Sequence, residues 1–277
     1  LYLGLPQSRG RSYGLGRAGA LFFSGLSHVL VQTREDRDRF EALGLSRERL
    51  TLAGNIKFDQ PLLVLDQTQK AALKAWFGIQ ETDRLWIAGS THPGEESMLL
   101  AVFQQVQQTV PGLKLVVAPR DPSRCAQVAD AMARQGCRPG LLSMTRHQPD
   151  DTPVMLLDCF GVLSSAYAVC DAAFIGGSLV AFGGHNPLEP AMFKKPVVFG
   201  PHMDDFSGIV ELLLARKAAC QVADRDGLVL ALKRLLTRPG LAADMGSRAF
   251  QVCEKNAGAV DRTLDRLALS GLGDGNV

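Results

Sequence analysis

At 277 residues, 46% of them hydrophobic, the chain is long enough for one large or two ordinary domains with a sizeable core. Its 30 basic and 28 acidic side chains are mixed along the sequence and leave a formal charge of +2, which excludes the broad basic footprint of a nucleic-acid binder. The six cysteines form no C-x-x-C pair and have no histidine at finger-like spacing, so neither a zinc site nor a disulfide framework is expected, and a reduced cytosolic compartment fits best.

The first 25 residues set Arg9, Arg11 and Arg17 among glycines ahead of Leu21-Phe22-Phe23, a pattern that predicts a solvated loop and a core-facing helix rather than a basic membrane patch. No run approaches the roughly 18 to 20 uninterrupted apolar residues of a membrane span; the best candidate, residues 18–31, is interrupted by His28 and two glycines. Residues 27–32 predict a buried strand. Thr33 caps a charged helix that Gly44 ends, and residues 50–53 form a second short strand. These two strands lack earlier partners, so residues 1–60 are expected to be the remnant of a domain whose first half precedes Leu1. Polar residues 54–61 and a helix over 67–77 suit an interdomain connection, assigned to 61–83.

From Arg84 strands and helices alternate, with strands over 85–88, 113–118, near 141, 154–157, 172–175, 196–199 and 219–222. Helices are predicted over 94–108, 122–135, 161–169, 206–215 and 228–236, with one last helix from about 244 to 269. Near-continuous apolar strands alternating with helices predict a doubly wound parallel sheet over 84–245, followed by a C-terminal helix and tail over 246–277.

Ligands of such sheets sit beyond the carboxyl ends of the strands, so four loops hold the candidate residues. They are Gly89-Ser90-Thr91-His92-Pro93-Gly94-Glu95-Glu96; Pro119-Arg120-Asp121-Pro122; Asp158-Cys159-Phe160-Gly161-Val162-Leu163; and Gly176-Gly177-Ser178 through Gly183-Gly184-His185-Asn186-Pro187-Leu188-Glu189-Pro190. The last is longer than the two to six residues of an ordinary βα turn. Its glycines let a phosphate or sugar approach the backbone, and Asn186 as N-cap with Glu189 in a capping box would present free N–H groups to it. Together the loops supply one cation, a carboxylate and helix N-termini, equipment for a phosphorylated, hydroxyl-rich ligand. None of these loops contains G-x-G-x-x-G or G-x-x-x-x-G-K-[ST], which disfavours NAD enzymes and P-loop NTPases.

Residues 54–59, 90–96 and, above all, 176–179 through 183–190 with Phe199-Gly200-Pro201-His202 resemble the Kdo (3-deoxy-D-manno-octulosonic acid) transferases of lipopolysaccharide synthesis. The resemblance runs in order from about Leu5 to the C-terminal helix. It implies a two-domain GT-B glycosyltransferase, here the donor domain preceded by the tail of a second Rossmann-like domain. The activity implied is Kdo transfer from CMP-Kdo to the lipid A precursor, at the cytoplasmic face of the bacterial inner membrane, with membrane attachment through the N-terminal half.

By match to the family's motifs, CMP lies on Pro119 and Arg120, on Gly161, Val162 and Leu163, and on Asn186, Pro187, Leu188 and Glu189, with Ser90, Thr91, His92, Gly177, Ser178 and His185 as further substrate-binding candidates. Asp121 stands where the family usually has His, and Val162 where it usually has Glu. The family's general base is expected before Leu1, so no catalytic residue is assigned and the donor part alone is expected to be inactive. None of the four loops contains Asp-x-Asp, and neither metal nor cofactor is expected. Another GT-B enzyme using a UDP-sugar, or a non-catalytic nucleotide-binding fragment, is the alternative.

Overall fold

The computed structural model describes residues 25–61, 63–144 and 152–269, in two units: Leu1–Pro61 with Glu254–Val277, and Leu62–Cys253. The arginines and aromatic residues expected to form a loop and helix before Ser24 lie outside the described residues.

In the first unit, strands β1 (Val29–Val31) and β2 (Leu50–Leu52) pair in parallel, joined through helix α1 (Arg34–Ala42). Thr33 caps α1 by accepting the Asp36 N–H at 3.0 Å. Phe40 of α1 packs with Val29, Val31, Leu45 and Leu50 into a small core of its own. The polar stretch after β2 has a role that its composition did not indicate. Asp59 accepts hydrogen bonds from the N–H groups of Gly258 (2.5 Å) and Val260 (2.6 Å), 199 and 201 residues away.

Those two donors open the last helix, and the single helix expected from 244 to 269 is in fact two, broken at Gly258 (φ 91°). Arg262, one turn beyond the break, sends its Nε to the Ala53 carbonyl at 2.7 Å. Residues 53–59 therefore clamp the final helix, and Asp59→Ala is expected to cost about 1–2 kcal/mol, because both N–H groups lose their acceptor. Urea unfolding checks this. Asp59→Asn, which keeps one acceptor oxygen, should recover part of the loss.

The second unit opens with α2 (Gln67–Trp76), whose N-terminus carries a reciprocal Asp66–Gln69 capping box. Then come β3 (Arg84–Thr91), α3 (Glu95–Val106), β4 (Leu113–Pro119), α4 (Cys125–Ala133), β5 (Gly140–Leu141), β6 (Val154–Leu156) and α5 (Leu163–Ala166). β7 (Ala172–Ile175), α6 (Leu188–Met192), β8 (Val197–Phe199), α7 (Ser207–Ala215), β9 (Cys220–Gln221), α8 (Arg225–Thr237) and α9 (Pro239–Asn256) complete it, and the last helix is α10 (Ala259–Leu269). Two predicted helices shorten. The one before α4 begins as a 3-10 turn over Pro122–Arg124, and α5 gives way to a second such turn over Tyr167–Val169.

All seven strands of this unit are parallel, in the order β5-β6-β4-β3-β7-β8-β9. Alternate residues supply two cores. Trp86, Ala88, Leu115, Val117 and Phe174 face α3, α4 and α8, while Leu85, Ile87, Val116, Met155 and Ala173 face Phe77, Tyr167 and partly buried Leu73 of α2. A sheet covered on both faces needs apolar residues at successive positions, which is why its strands read as unbroken apolar runs. The chain order reverses at β3, whose neighbours are β4 and β7. The crevice above their carboxyl ends is the usual ligand position of an open α/β sheet.

Candidate functional site

The loops after β3 and β7 meet at this reversal, and one buried carboxylate joins them. Glu95, at the start of α3 and 0% exposed, accepts the N–H groups of Gly177 (2.7 Å), Ser178 (3.0 Å) and Leu179 (3.0 Å) from the glycine-rich loop. It also accepts the His92 N–H at 3.0 Å. Burial pushes this carboxyl upward and the four amide donors oppose the shift. Each of those bonds uses a lone pair of the carboxylate, so the anion is the form that fits.

The glycines are required by the approach of the two loops. A Cβ at Gly176 would lie 2.3 Å from the Ser90 carbonyl oxygen, and Gly177 has φ +68° with the His92 and His185 rings against it. Ser90 itself has φ 56°, at the register shift between β3 and β4, so the strand end is bent and strained next to the crevice.

Beneath the loop, Thr91 (0% exposed) donates its hydroxyl to Glu96, and Arg124 pairs with the same carboxylate oxygen at 2.9 Å. Ser178 is also fully buried, donating to the Ile175 carbonyl and accepting the Gly200 N–H at 2.8 Å. The hydroxyls of Thr91 and Ser178, expected to face ligand, are thus spent on holding strand ends together. Pro119 and Leu188 are likewise buried, so their side chains shape the crevice from below.

Above it, His92 and His185 stack with ring centroids 5.0 Å apart, their Nε2 atoms 2.7 Å from each other, and Phe182 stacks on the outer side of His92 at 4.2 Å. Burial holds both imidazoles below the ordinary histidine range, His185 at about 4. Arg120 is exposed, its N–H bonded to the Thr91 carbonyl at 3.0 Å. Its positive charge depresses both histidines further and opposes the upward shift of Glu189, which places all four groups in one electrostatic field. Among the described residues the Arg120 guanidinium makes no ion pair or hydrogen bond, and a fixed cation left without a partner at the reversal point is available to an anion.

The expected capping box at Asn186 does not form. α6 begins at Leu188, the Asn186 side-chain oxygen accepts the Leu188 N–H at 3.1 Å, and Pro187 precedes the helix in helical conformation. The Glu189 carboxylate turns to Ser164 of α5, whose hydroxyl donates to it at 3.0 Å, and to the Asn186 side chain; burial pushes it upward. Both α5 and α6 are single turns, so they offer individual N–H groups rather than a helix-length dipole. Gly161 (φ 81°) is exposed, Val162 and Leu163 are half-buried against the second core, and the neighbouring Phe160 is 81% exposed.

A separate groove of about 310 Å³, lined by Lys70, Lys74, Arg84, Asp171 and Lys195 among others, lies at the opposite, amino ends of β3 and β7. Arg84 and Asp171 there neutralise one another at 3.7 Å. Among the described residues no group of three or more His, Cys, Asp or Glu side chains is placed to hold a metal, and no helix is long and apolar enough to cross a membrane.

A family model described as 3-deoxy-D-manno-octulosonic-acid transferase (kdotransferase) matches residues 6–60. The 3-deoxy-D-manno-octulosonic acid transferase of Haemophilus influenzae is 34% identical over 247 residues, an overlap of 88% of this chain and 57% of that protein. The transferase of the same name from Rickettsia felis is 29% identical over 252 residues, 88% of this chain and 52% of the other. The chain spans about half the length of the curated relatives it matches.

Among solved structures, the C-terminal CMP-Kdo binding domain of WaaA from Acinetobacter baumannii is similar at 29% identity and a TM-score of 0.62, over 67% of this chain and 96% of that domain. Anabaena Alr3699/HepE in complex with UDP-glucose shares the fold alone, at 15% identity and a TM-score of 0.57, over 89% of this chain and 64% of the other. The α/β architecture with its all-parallel sheet is that of the GT-B glycosyltransferases. Motifs, family model and curated relatives agree in one likeness: the chain is similar to the 3-deoxy-D-manno-octulosonic acid transferases, whose family model matches its residues 6–60.

Proposed function

We propose that the crevice above β3, β4 and β7 binds the nucleotide of CMP-Kdo, and that the protein transfers Kdo from it to the lipid A precursor. The observation that carries this reading is the Arg120 guanidinium, which has no hydrogen bond or ion pair among the described residues and whose charge acts on the histidine pair and on Glu189, beside a loop pinned by Glu95. The donor's phosphate docks on Arg120, and Glu189, held by Ser164, takes the ribose hydroxyls. The backbone around Gly161–Leu163 and Asn186–Glu189 supplies the remaining polar contacts.

Glycosyl transfer needs a base for the attacking hydroxyl and stabilisation of the departing phosphate. This crevice supplies the second through the Arg120 cation and the N–H groups of its loops. The acceptor is an amphiphile of the lipopolysaccharide pathway, which puts the working enzyme at the cytoplasmic face of the inner membrane.

Titration of the purified chain with CMP, UMP and UDP tests the donor assignment. CMP should bind tightest; preference for UDP would indicate a UDP-sugar enzyme, and no nucleotide binding at all would remove the donor role. Glu189→Gln adds a second check. It should weaken CMP and cytidine alike, by about three- to thirty-fold, since a hydrogen bond to a charged group contributes roughly 1–2 kcal/mol net. Unchanged affinity with a lowered Tm would make Glu189 a purely structural partner of Ser164.

A further inference from the structure

Two imidazoles with Nε2 atoms 2.7 Å apart must share one hydrogen: one ring donates Nε2–H and the other accepts on a bare Nε2. The accepting ring, if neutral, carries its own proton on Nδ1, and the donating ring has a bare Nδ1. The neutral pair therefore has one vacant basic nitrogen. The Cδ2 edges of both rings lie against Gly177, 3.2 and 3.4 Å from where its Cβ would be, so the Nδ1 atoms are on the opposite ring edges.

No carboxylate hydrogen-bonds to either ring among the described residues. The charged groups around the pair are Arg120 after β4, Arg124 in the turn before α4, Glu96 of α3 and Asp205 in the turn before α7; Glu95 reaches only the His92 backbone. Glu96 is already held by Arg124 and Thr91. What depresses the pair is thus burial together with arginine charge, and a phosphate bound at Arg120 would offset the second cause and favour a positive ring.

We propose that His92 and His185 act as one unit that takes up a single proton from water when a ligand phosphate docks beside Arg120. The phosphate is then met by a second cation that exists only while the anion is there. This deepens the donor-site reading above and rests on it. The new N–H bond forms at the vacant Nδ1, no other bond changes, and the hydrogen between the two Nε2 atoms stays in place. In the free crevice the pair is neutral near pH 7, His185 titrating at about 4. In the complex the pair binds a proton more readily, so phosphate affinity rises as pH falls, by no more than about tenfold per pH unit for one proton.

The test uses the methyl ester of CMP, a phosphodiester whose phosphate stays monoanionic between pH 5 and 8, with cytidine as the control for protonation of the base. Calorimetric titration at pH 5.5 in two buffers of different ionisation enthalpy gives the number of protons taken up per ester bound. We expect about 0.9 proton, none for cytidine, and about tenfold tighter ester binding at pH 5.5 than at pH 7.5. A His92→Gln/His185→Gln double variant, which keeps amide groups in place of the ring nitrogens, should bind the ester with no proton uptake, whatever its affinity for the nucleoside. Ester binding to the unaltered chain without proton uptake overturns the inference and leaves the donor site standing, as does uptake that persists in the double variant. If neither CMP nor its ester binds, the donor-site reading falls and this inference falls with it.

Discussion

Glu95→Ala is expected to be the most damaging single substitution in the second unit, costing about 3–5 kcal/mol of stability and removing measurable CMP binding. The carboxylate is fully buried and is the acceptor for four amide N–H groups, three of them in the glycine-rich loop. Hydrogen bonds to a charged group contribute roughly 1.5–3 kcal/mol each, and a buried donor left without an acceptor costs about 1–3 kcal/mol. Water entering the space would recover part of the sum, which brings the expectation to the upper range of single-site effects.

Glu95→Gln separates charge from volume. One carboxylate oxygen becomes an NH2 that opposes two incoming N–H groups, so about 2–3 kcal/mol should be lost with packing preserved. Urea unfolding together with CMP titration measures both. A Glu95→Ala chain that unfolds like the parent would mean that the glycine-rich loop holds its shape without this anchor.

Arg120→Ala is expected to weaken CMP binding by about ten- to a hundred-fold, the equivalent of a charge-assisted contact of roughly 1.5–3 kcal/mol, while cytidine affinity barely changes. Arg120 is exposed and its side chain has no partner among the described residues, so its removal should leave the Tm within about a degree of the parent. Equal loss of CMP and cytidine binding would place Arg120 against the nucleoside instead. Unchanged CMP affinity would put the phosphate elsewhere.

The sheet was legible because strands covered on both faces leave apolar runs in the sequence, as at residues 85–88 and 113–118. The loops beyond the strand ends followed from strand alternation, and the glycine-rich loop from its length and its glycines. What stayed hidden depended on partners distant in sequence. Glu95 sits 82 to 84 residues from the glycine-rich-loop amides it accepts, Ser164 is 25 from Glu189, and Asp59 is 199 from Gly258.

Asn186 and Glu189 match a local capping rule, yet the carboxylate finds Ser164 across the crevice, and a tertiary partner overrides the local one. Thr91 and Ser178 look like ligand hydroxyls by composition, and burial turns them to Glu96 and to the Ile175 carbonyl. Gly258 ends one helix and precedes another, a break that apolar periodicity alone carried across.

Hydrogen–deuterium exchange of the chain with and without saturating CMP tests the placement of the nucleotide most directly, because each loop reports separately. Protection is predicted in peptides covering residues 89–96, 119–124, 158–165 and 176–190, with the groove formed by residues 67–84 and Lys195 unchanged. Protection confined to that groove, or to the unit holding residues 25–61, would contradict the donor crevice described here.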